Sequence, residues 1–176
     1  EVLAVPCDTC AVYTAIADKM TLLFDPVLNI HPEYAGYDGR EIKQADIVLL
    51  SYPLQMPMSD EVRRSDLAYY SDRTDAHGPA MTWGMHAIGY LDTGDLTSAA
   101  QFLDMSFQDN MHLPLHVWTE TPDGNACNFI TGAGGFLQTV TAGYPGLRLE
   151  GGRLSFAPRC IPGVTHIKLR RVTYLS

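Results

Sequence analysis

Apolar residues recur at helical spacing along most of the chain up to residue 146. This spacing predicts helices over 8–23, 43–51, 59–70, 80–92, 96–108 and 135–142. Ser59 is expected to cap the third helix, because its hydroxyl can accept hydrogen bonds from first-turn N–H groups. Gly94 is expected to end the fourth, because glycine readily takes the left-handed backbone found at helix ends. The polar segment 110–132 is predicted to be a loop, and a loop this long is usually functional.

After Gly146 the pattern changes from helical spacing to a period of two. Short strands are predicted where polar and apolar residues alternate, over 147–149, 153–156 and 166–174. Glu150-Gly151-Gly152 fits a hairpin turn between the first two. The charge changes sign at the same place: 1–146 carries 19 acidic and 6 basic residues, whereas 147–176 carries 1 and 6. We therefore predict two structural units, 1–146 and 147–176.

The predicted fold class is mainly α, followed by a small antiparallel β-unit. Consecutive helices with apolar inner faces suit a bundle, a repeat array or a helical toroid, and the lack of a fixed period argues against a solenoid. The composition, 46% hydrophobic and 18% charged, is that of a globular protein. No apolar run approaches the roughly 18–20 residues that span a bilayer. The acidic larger unit repels phosphate backbones. We therefore expect neither a membrane nor a nucleic-acid partner.

The cysteines and histidines give little indication of a metal site. Cys7 and Cys10 have C-x-x-C spacing, but a zinc ribbon needs a second close pair, and the other two cysteines are far apart. A thioredoxin-type site needs a preceding strand and a βαβ context, which the pattern does not predict. Pro114 separates His112 from His116 and makes a shared helix face unfavourable. We therefore expect no metal and no cofactor.

Two polar segments are candidates for sugar chemistry. Lys43-Gln44, at a predicted helix entry, can donate and accept hydrogen bonds around a polyhydroxy ligand. Trp118 lies two residues before Glu120. A ring beside a carboxylate is typical of sugar sites, where the ring covers an apolar sugar face and the carboxylate handles protons. From pattern alone two alternatives stay open: solvated helix-end residues for the first segment, and a loop anchored by its Trp for the second.

The glycine-rich run Thr131-Gly132-Ala133-Gly134-Gly135 does not match a nucleotide site. It lacks the Lys-Ser/Thr of a P-loop and the full G-x-G-x-x-G pattern, and no strand is predicted before it. Its glycines are expected to allow a tight helix start or a close backbone approach. The sequence also lacks a G-x-S-x-G nucleophile elbow.

Four runs, taken in order, resemble the family 65 glycoside hydrolases, the group that includes acid trehalases and disaccharide phosphorylases. They are Glu41 to Leu50, Gly78 to Trp83, Val117 to Glu120 and Asn128 to Gln138. The Lys-Gln-Ala-Asp and Gly-Gly-Phe-Leu-Gln parts are the most specific. The resemblance covers nearly the whole chain. It implies the C-terminal part of a catalytic (α/α)6 barrel over 1–146 and the start of a small β-domain over 147–176.

The resemblance implies inverting hydrolysis of an α-glucosidic bond without a metal or cofactor. It assigns glucose binding to Lys43 and Gln44, the general base to Glu120 and a wall of the pocket to Trp118. The implied substrate is glucosyl-galactosyl-hydroxylysine of collagen, with trehalose as the runner-up. Phosphorylases of the family carry a Ser-rich motif where this chain has Pro79-Ala80-Met81, which favours a hydrolase.

One catalytic group of the family has no counterpart in this sequence. The general acid, also a glutamate, lies on the part of the barrel that precedes these residues, and no run in 1–42 resembles it. Glu33 and Glu41 belong to the loop leading into Lys43-Gln44 and match no acid motif. The remainder of the barrel is therefore expected to be needed for a complete site. The alternatives are an inactive fragment or isoform with residual sugar binding, and an acid trehalase or phosphorylase of the same family.

Overall fold

The computed structural model describes residues 9–44, 46–124, 126–160 and 162–170. Within them the chain forms five α-helices: α1 (Cys10–Ala17), α2 (Asp60–Ser71), α3 (Met81–Thr93), α4 (Leu96–Met105) and α5 (Ile130–Gln138). A 3₁₀ helix covers Ile47–Leu50, and a π turn over Thr139–Gly143 continues α5. Two antiparallel hairpins pair β1 (Met111–His112) with β2 (Val117–Trp118), and β3 (Arg148–Glu150) with β4 (Arg153–Ser155). The predicted class, mainly α with a small antiparallel β part, is confirmed.

The central helices begin and end where local chemistry predicts. The Ser59 hydroxyl accepts a hydrogen bond from Val62 N at 3.2 Å and caps α2. Asp60 and Glu61 occupy the first turn of this helix, where their charge complements the positive end of its dipole. Helix α3 ends at Gly94, whose φ of 82° is left-handed. These termini depend on side chains within one turn, which explains why the sequence predicts them.

Three helices differ from their predicted bounds. Helix α1 ends at Ala17, well before residue 23, and none of its residues is buried. The segment 43–51 is helical only over Ile47–Leu50, because Ile42 just before it pairs with Thr74 in a parallel bridge that keeps the chain extended. Helix α5 starts before 135, since Gly132 and Gly135 pack closely inside a helix and do not form a turn.

Helix α3 forms the centre of the core. Nine of its 13 residues are buried, and α2, α4 and α5 all pack against it. The deepest apolar side chains come from three helices; they include Leu67, Ile88, Leu91 and Ala99, each no more than 1% exposed. A helix that is apolar on nearly all sides needs neighbours all round it, and α3 has them.

The long loop before the 3₁₀ helix is fastened to α2 at His31. His31 N donates to Asp66 Oδ1 at 2.8 Å, and His31 Nδ1 lies 2.7 Å from Asp66 Oδ2. The Tyr70 hydroxyl donates to the His31 carbonyl at 2.7 Å. Burial raises the pKa of Asp66, and its contacts with His31 act against that shift. The loop therefore has a fixed position on the helical layer.

The second hairpin confirms the predicted turn. Gly151 and Gly152, with φ of 53° and 73°, form the two-residue connection, and Glu150 pairs with Arg153. Positive φ at both turn residues is the geometry that favours glycine in tight hairpins. The predicted strand 166–174 is not a strand over 166–170; the rest of it lies outside the described residues. The division into 1–146 and 147–176 stays a prediction.

Candidate active site

The turn at Gly78 joins the segments that carry the predicted site residues. A Cβ on Gly78 would lie 2.6 Å from the Lys43 carbonyl oxygen, so only glycine lets the backbone at residue 78 come this close to the backbone of Lys43. Two residues later, Ala80 N donates to the Glu120 carbonyl at 2.8 Å. The turn thus holds the Lys43 backbone on one side and the Glu120 backbone on the other.

Lys43 and Glu120 lie side by side. The Lys43 Nζ is 3.7 Å from Glu120 Oε1, with the lysine side chain 70% exposed and the glutamate 33% exposed. Ile42 positions the lysine, because its N–H donates to Arg73 O at 2.8 Å and its carbonyl accepts from Asp75 N at 2.9 Å. An exposed pair of this kind adds little to stability, so its importance lies in where it places two charges.

A buried threonine and asparagine hold the backbone beneath Glu120. Thr119 is 2% exposed; its N–H donates to Asn110 O at 2.9 Å, and its hydroxyl donates to Thr121 O at 2.8 Å. The Asn110 amide, itself buried, donates to the Glu120 carbonyl at 3.2 Å. Sequence reasoning missed Asn110, because a polar residue in a polar loop gives no signal before its contacts are known.

Trp118 packs against helix α5. Its ring lies 5.5 Å from that of Phe136, and its carbonyl accepts from Phe129 N at 2.8 Å. A Cβ on Gly132 would lie 2.9 Å from Trp118 Cδ1, so the glycine makes room for the ring. The ring also borders an open cavity of about 340 Å³ lined by Leu115, His116, Val117, Asn128, Phe129, Ile130 and Ala133. Glu120 is not among the residues lining this cavity.

Gln44 points toward a carboxylate. Its Nε2 donates to Asp46 Oδ1 at 3.0 Å. Both residues border a small cavity of about 40 Å³, which Met81 and Thr82 also line. Gln44 is therefore held next to the start of α3, whose first residue directly follows Ala80, the residue whose N–H binds the Glu120 carbonyl.

Glu33 has the most perturbed carboxyl near these residues. Burial raises its pKa to about 7, and a hydrogen bond and charge repulsion from Asp46 add to the shift. Because the ordinary value is 4.5, this carboxyl holds its proton over most of the acidic range. Sequence reasoning assigned no role to Glu33, since it matches no motif of a general acid.

A second open cavity lies directly beside Glu120 in the chain. It measures about 400 Å³ and is lined by His77, Thr121, Pro122 and Asp123. His77 precedes the Gly78 turn and Thr121 follows Glu120, so the cavity opens where the two segments meet. Neither Lys43 nor Glu120 is among the residues that line it, so the cavity lies next to the charged pair and does not contain it.

The remaining candidates fall outside this cluster. His112 lies in β1 and His116 has a left-handed φ of 54° in the following turn, so the two do not share a helix face. Cys10 is disulfide-bonded, and Cys7 lies outside the described residues. In the described part of the chain, no group of three or more His, Cys, Asp and Glu side chains could hold a metal ion. No described helix is both long and apolar enough to cross a membrane.

Comparison with known proteins gives close relatives for nearly all of the chain. A protein-glucosylgalactosylhydroxylysine glucosidase from Danio rerio is 48% identical over 163 residues, which are 92% of this chain and 25% of the relative. The protein of the same name from Dictyostelium discoideum is 45% identical over 164 residues, 93% of this chain and 23% of the relative. The chain thus spans about a quarter of the length of these curated relatives. No protein-family model matches it.

A solved structure shares the fold. It is a protein from the human microbiome provisionally described as a kojibiose phosphorylase, with a TM-score of 0.63 and 15% identity, covering 86% of this chain and 24% of that one. At this identity the likeness concerns the fold alone, and it agrees with a partial helical barrel followed by a small β part. The identity to the two glucosidases over more than nine tenths of this chain shows a partial chain similar to the family 65 glycoside hydrolases.

Proposed function

We propose that this chain supplies the general base and the glucose-binding residues of an inverting α-glucoside hydrolase. The observation that carries the proposal is the 3.7 Å approach of Lys43 Nζ to Glu120 Oε1, which brings two distant sequence motifs to one place. Since the two curated relatives are named for glucosylgalactosylhydroxylysine, glucosyl-galactosyl-hydroxylysine is the proposed substrate.

Each residue has a distinct task in this mechanism. Glu120 takes a proton from the water that attacks the anomeric carbon on the face opposite the leaving group. Lys43 donates hydrogen bonds to the glucose hydroxyls, and Gln44 can both donate and accept. The Lys43 ammonium also offsets the negative charge of Glu120. Trp118 contributes a wall of the pocket.

The acid side of the reaction lies elsewhere in this proposal. Inverting enzymes hold two carboxyls roughly 6.5–9.5 Å apart, one as acid and one as base. The remainder of the barrel would supply the acid, with 1–146 as its C-terminal part and 147–176 as the start of the β-domain. The exposed apolar side chains of α1, which has no buried residue, support a neighbour on that side.

The test is Glu120→Gln in the complete enzyme. The amide keeps the shape of the side chain but cannot take a proton, so kcat should fall by about 10²–10⁴-fold. Glucose release is measured from glucosyl-galactosyl-hydroxylysine, trehalose and kojibiose, and proton NMR identifies the first anomer released. Inversion at an α-glucoside predicts β-glucose.

Glu61→Gln is the matched control, because Glu61 is an exposed carboxylate in the first turn of α2. It should keep wild-type turnover. Near-normal turnover by Glu120→Gln would remove the residue from the mechanism. Release of glucose 1-phosphate only in the presence of phosphate would identify a phosphorylase instead. Hydrolysis by the 176-residue chain alone would show that the acid lies within it.

A further inference from the structure

We infer that Asn110 is a positioning residue for the general base: its buried side-chain amide binds the two peptide groups that flank the Glu120 Cα and so sets the direction in which the carboxylate points. The inference rests on the proposed function, in which Glu120 is the base. It deepens that function by explaining what holds the base in place.

The Asn110 amide contacts two neighbouring carbonyls from a buried position. The residue is 2% exposed. Its Nδ2 lies 3.2 Å from the Glu120 carbonyl oxygen and 3.4 Å from the Thr119 carbonyl oxygen. Carbonyl oxygens only accept hydrogen bonds, and an amide NH₂ group has two hydrogens to donate. The amide must therefore turn its nitrogen toward this pair of carbonyls and donate to both.

These two carbonyls belong to the peptide groups on either side of the Glu120 Cα. The orientation of the preceding peptide group defines φ of Glu120, and that of the following group defines ψ, and these are the two soft torsions of the backbone at this residue. Fixing both peptide groups therefore fixes the direction of the Cα–Cβ bond of Glu120. The carboxylate that extends from it lies 3.7 Å from Lys43 Nζ.

The loop that carries the base is tied to the helical core at two places. The Asn110 carbonyl accepts a hydrogen bond from Thr119 N at 2.9 Å, and Asn110 follows α4, which packs against α3. The Glu120 carbonyl also accepts from Ala80 N at 2.8 Å, directly before α3. Asn110 adds a side-chain bridge between the two peptide groups of the base, which the bond from Ala80 does not supply.

A general base depends on an accurate position. It must approach the attacking water to hydrogen-bond distance, about 2.6–3.2 Å between heavy atoms. A displacement of about 1 Å can lower the rate about 100-fold. Loss of the Asn110 bridge should therefore affect the chemical step, and it should affect glucose binding much less.

The experiment is Asn110→Leu in the complete enzyme, alone and combined with Glu120→Gln. Leucine keeps the branched shape at Cγ but has no hydrogen-bond donor. With glucosyl-galactosyl-hydroxylysine as substrate, kcat should fall about 10- to 100-fold. KM should change by less than about twofold, because Lys43 and Gln44 lie on another segment.

The double variant tests whether Asn110 acts through the base. If it does, adding Asn110→Leu to Glu120→Gln should lower kcat no further, since the amide would then be positioning a side chain that cannot take a proton. Gln108→Leu is the matched control, because Gln108 is an exposed amide two residues earlier. It should keep wild-type kcat and KM. Urea-unfolding midpoints check that every variant is folded in the assay.

Asn110→Asp keeps the shape of the side chain and changes its donor. An ionised carboxylate cannot donate to the two carbonyls, whereas a protonated one can donate to one of them. The ratio of variant to wild-type kcat should therefore rise by about threefold or more from pH 8 to pH 5. Glu120 itself and His112, whose Nε2 lies 3.0 Å from Thr119 Oγ1, are the titratable groups nearby. Both are common to the two proteins, so the ratio cancels their effect.

Wild-type kcat in Asn110→Leu, even with a raised KM, would overturn the positioning role. If Asn110→Leu does not fold, a level ratio for Asn110→Asp between pH 8 and 5 overturns it. The two proposals fail in different ways. Full turnover by Glu120→Gln removes the base and this inference with it, whereas an impaired Glu120→Gln enzyme that loses further activity in full on adding Asn110→Leu overturns this inference alone.

Discussion

His86 is an uncharged histidine enclosed by aromatic rings. It is fully buried in α3, with ring centroids 5.3 Å from Trp83 and 5.2 Å from Phe102. Its Nδ1 lies 3.3 Å from the Thr82 carbonyl, which accepts a hydrogen bond from the neutral ring. Burial lowers the pKa of His86 to about 4, so protonation is costly in the folded chain.

We predict that His86 makes the fold sensitive to acid. The unfolded chain binds this proton near pH 6.5 and the folded chain only near 4, so the stability that depends on neutral His86 is lost as the pH falls through that window. The loss should reach about 3 kcal/mol at pH 4. His86→Leu should flatten this part of the profile, measured as the urea-unfolding free energy between pH 7 and 4.

His166→Gln is the control, because His166 is exposed and its loss should leave the slope unchanged. Other titrating groups are common to all three proteins, so the difference between variants isolates His86. An equal slope in wild type and His86→Leu would rule out this explanation.

At the scale of elements, helices α3 and α5 cross at a pair of glycines. A Cβ on Gly84 would lie 2.9 Å from the Gly135 carbonyl oxygen and 3.2 Å from Thr139 Oγ1. The Thr139 hydroxyl donates to the Gly84 carbonyl at 3.1 Å across the same contact. The crossing therefore depends on a missing side chain and on one buried hydrogen bond. It matters for the site, because α5 packs against Trp118.

Gly84→Ala should destabilise the protein by about 1–3 kcal/mol, since backbone atoms cannot move aside as a flexible side chain would. Gly134→Ala is the matched control in α5, where a Cβ would meet nothing within 4 Å. It should be neutral or stabilising by about 0.5–1 kcal/mol, because alanine favours the helix. Equal urea midpoints for the two variants would contradict the close crossing.

The element predictions succeed or fail for a physical reason. Helices α2 and α3 have caps within one turn of their ends, so the sequence predicts them well. The early start of α5 was not predicted, because a run of glycines suggests a turn. The close packing of Gly132 and Gly135 against the start of α3, which explains these glycines, is seen only in the fold. The bridge from Ile42 to Thr74 was also missed, since it joins segments that are distant in sequence.

At the scale of the whole molecule, one helix leaves its apolar side chains in solvent. Val12, Tyr13 and Ile16 of α1 are 57%, 62% and 55% exposed. Contiguous exposed apolar surface usually marks an interface. The chain corresponds to about a quarter of the curated relatives, and the proposed remainder of the barrel is the partner that would cover this surface.

We expect the 176-residue chain by itself to self-associate through α1. Replacing both Val12 and Ile16 with Gln should lower the association seen by sedimentation velocity and weaken binding of a hydrophobic dye. Stability should change by less than about 0.5 kcal/mol, because neither side chain is buried. Thr14→Gln, an exposed change on the same helix, should leave association unaltered. Equal association in both variants would place the contact elsewhere.

Local chemistry and motif residues in a fixed order were enough to predict the helical class, the caps, the second hairpin and the family resemblance. Which of these residues meet depends on tertiary contacts. The fold places Lys43 beside Glu120 through the Gly78 turn. Such contacts join segments far apart in the chain, and burial can perturb a carboxyl only after the chain has folded around it.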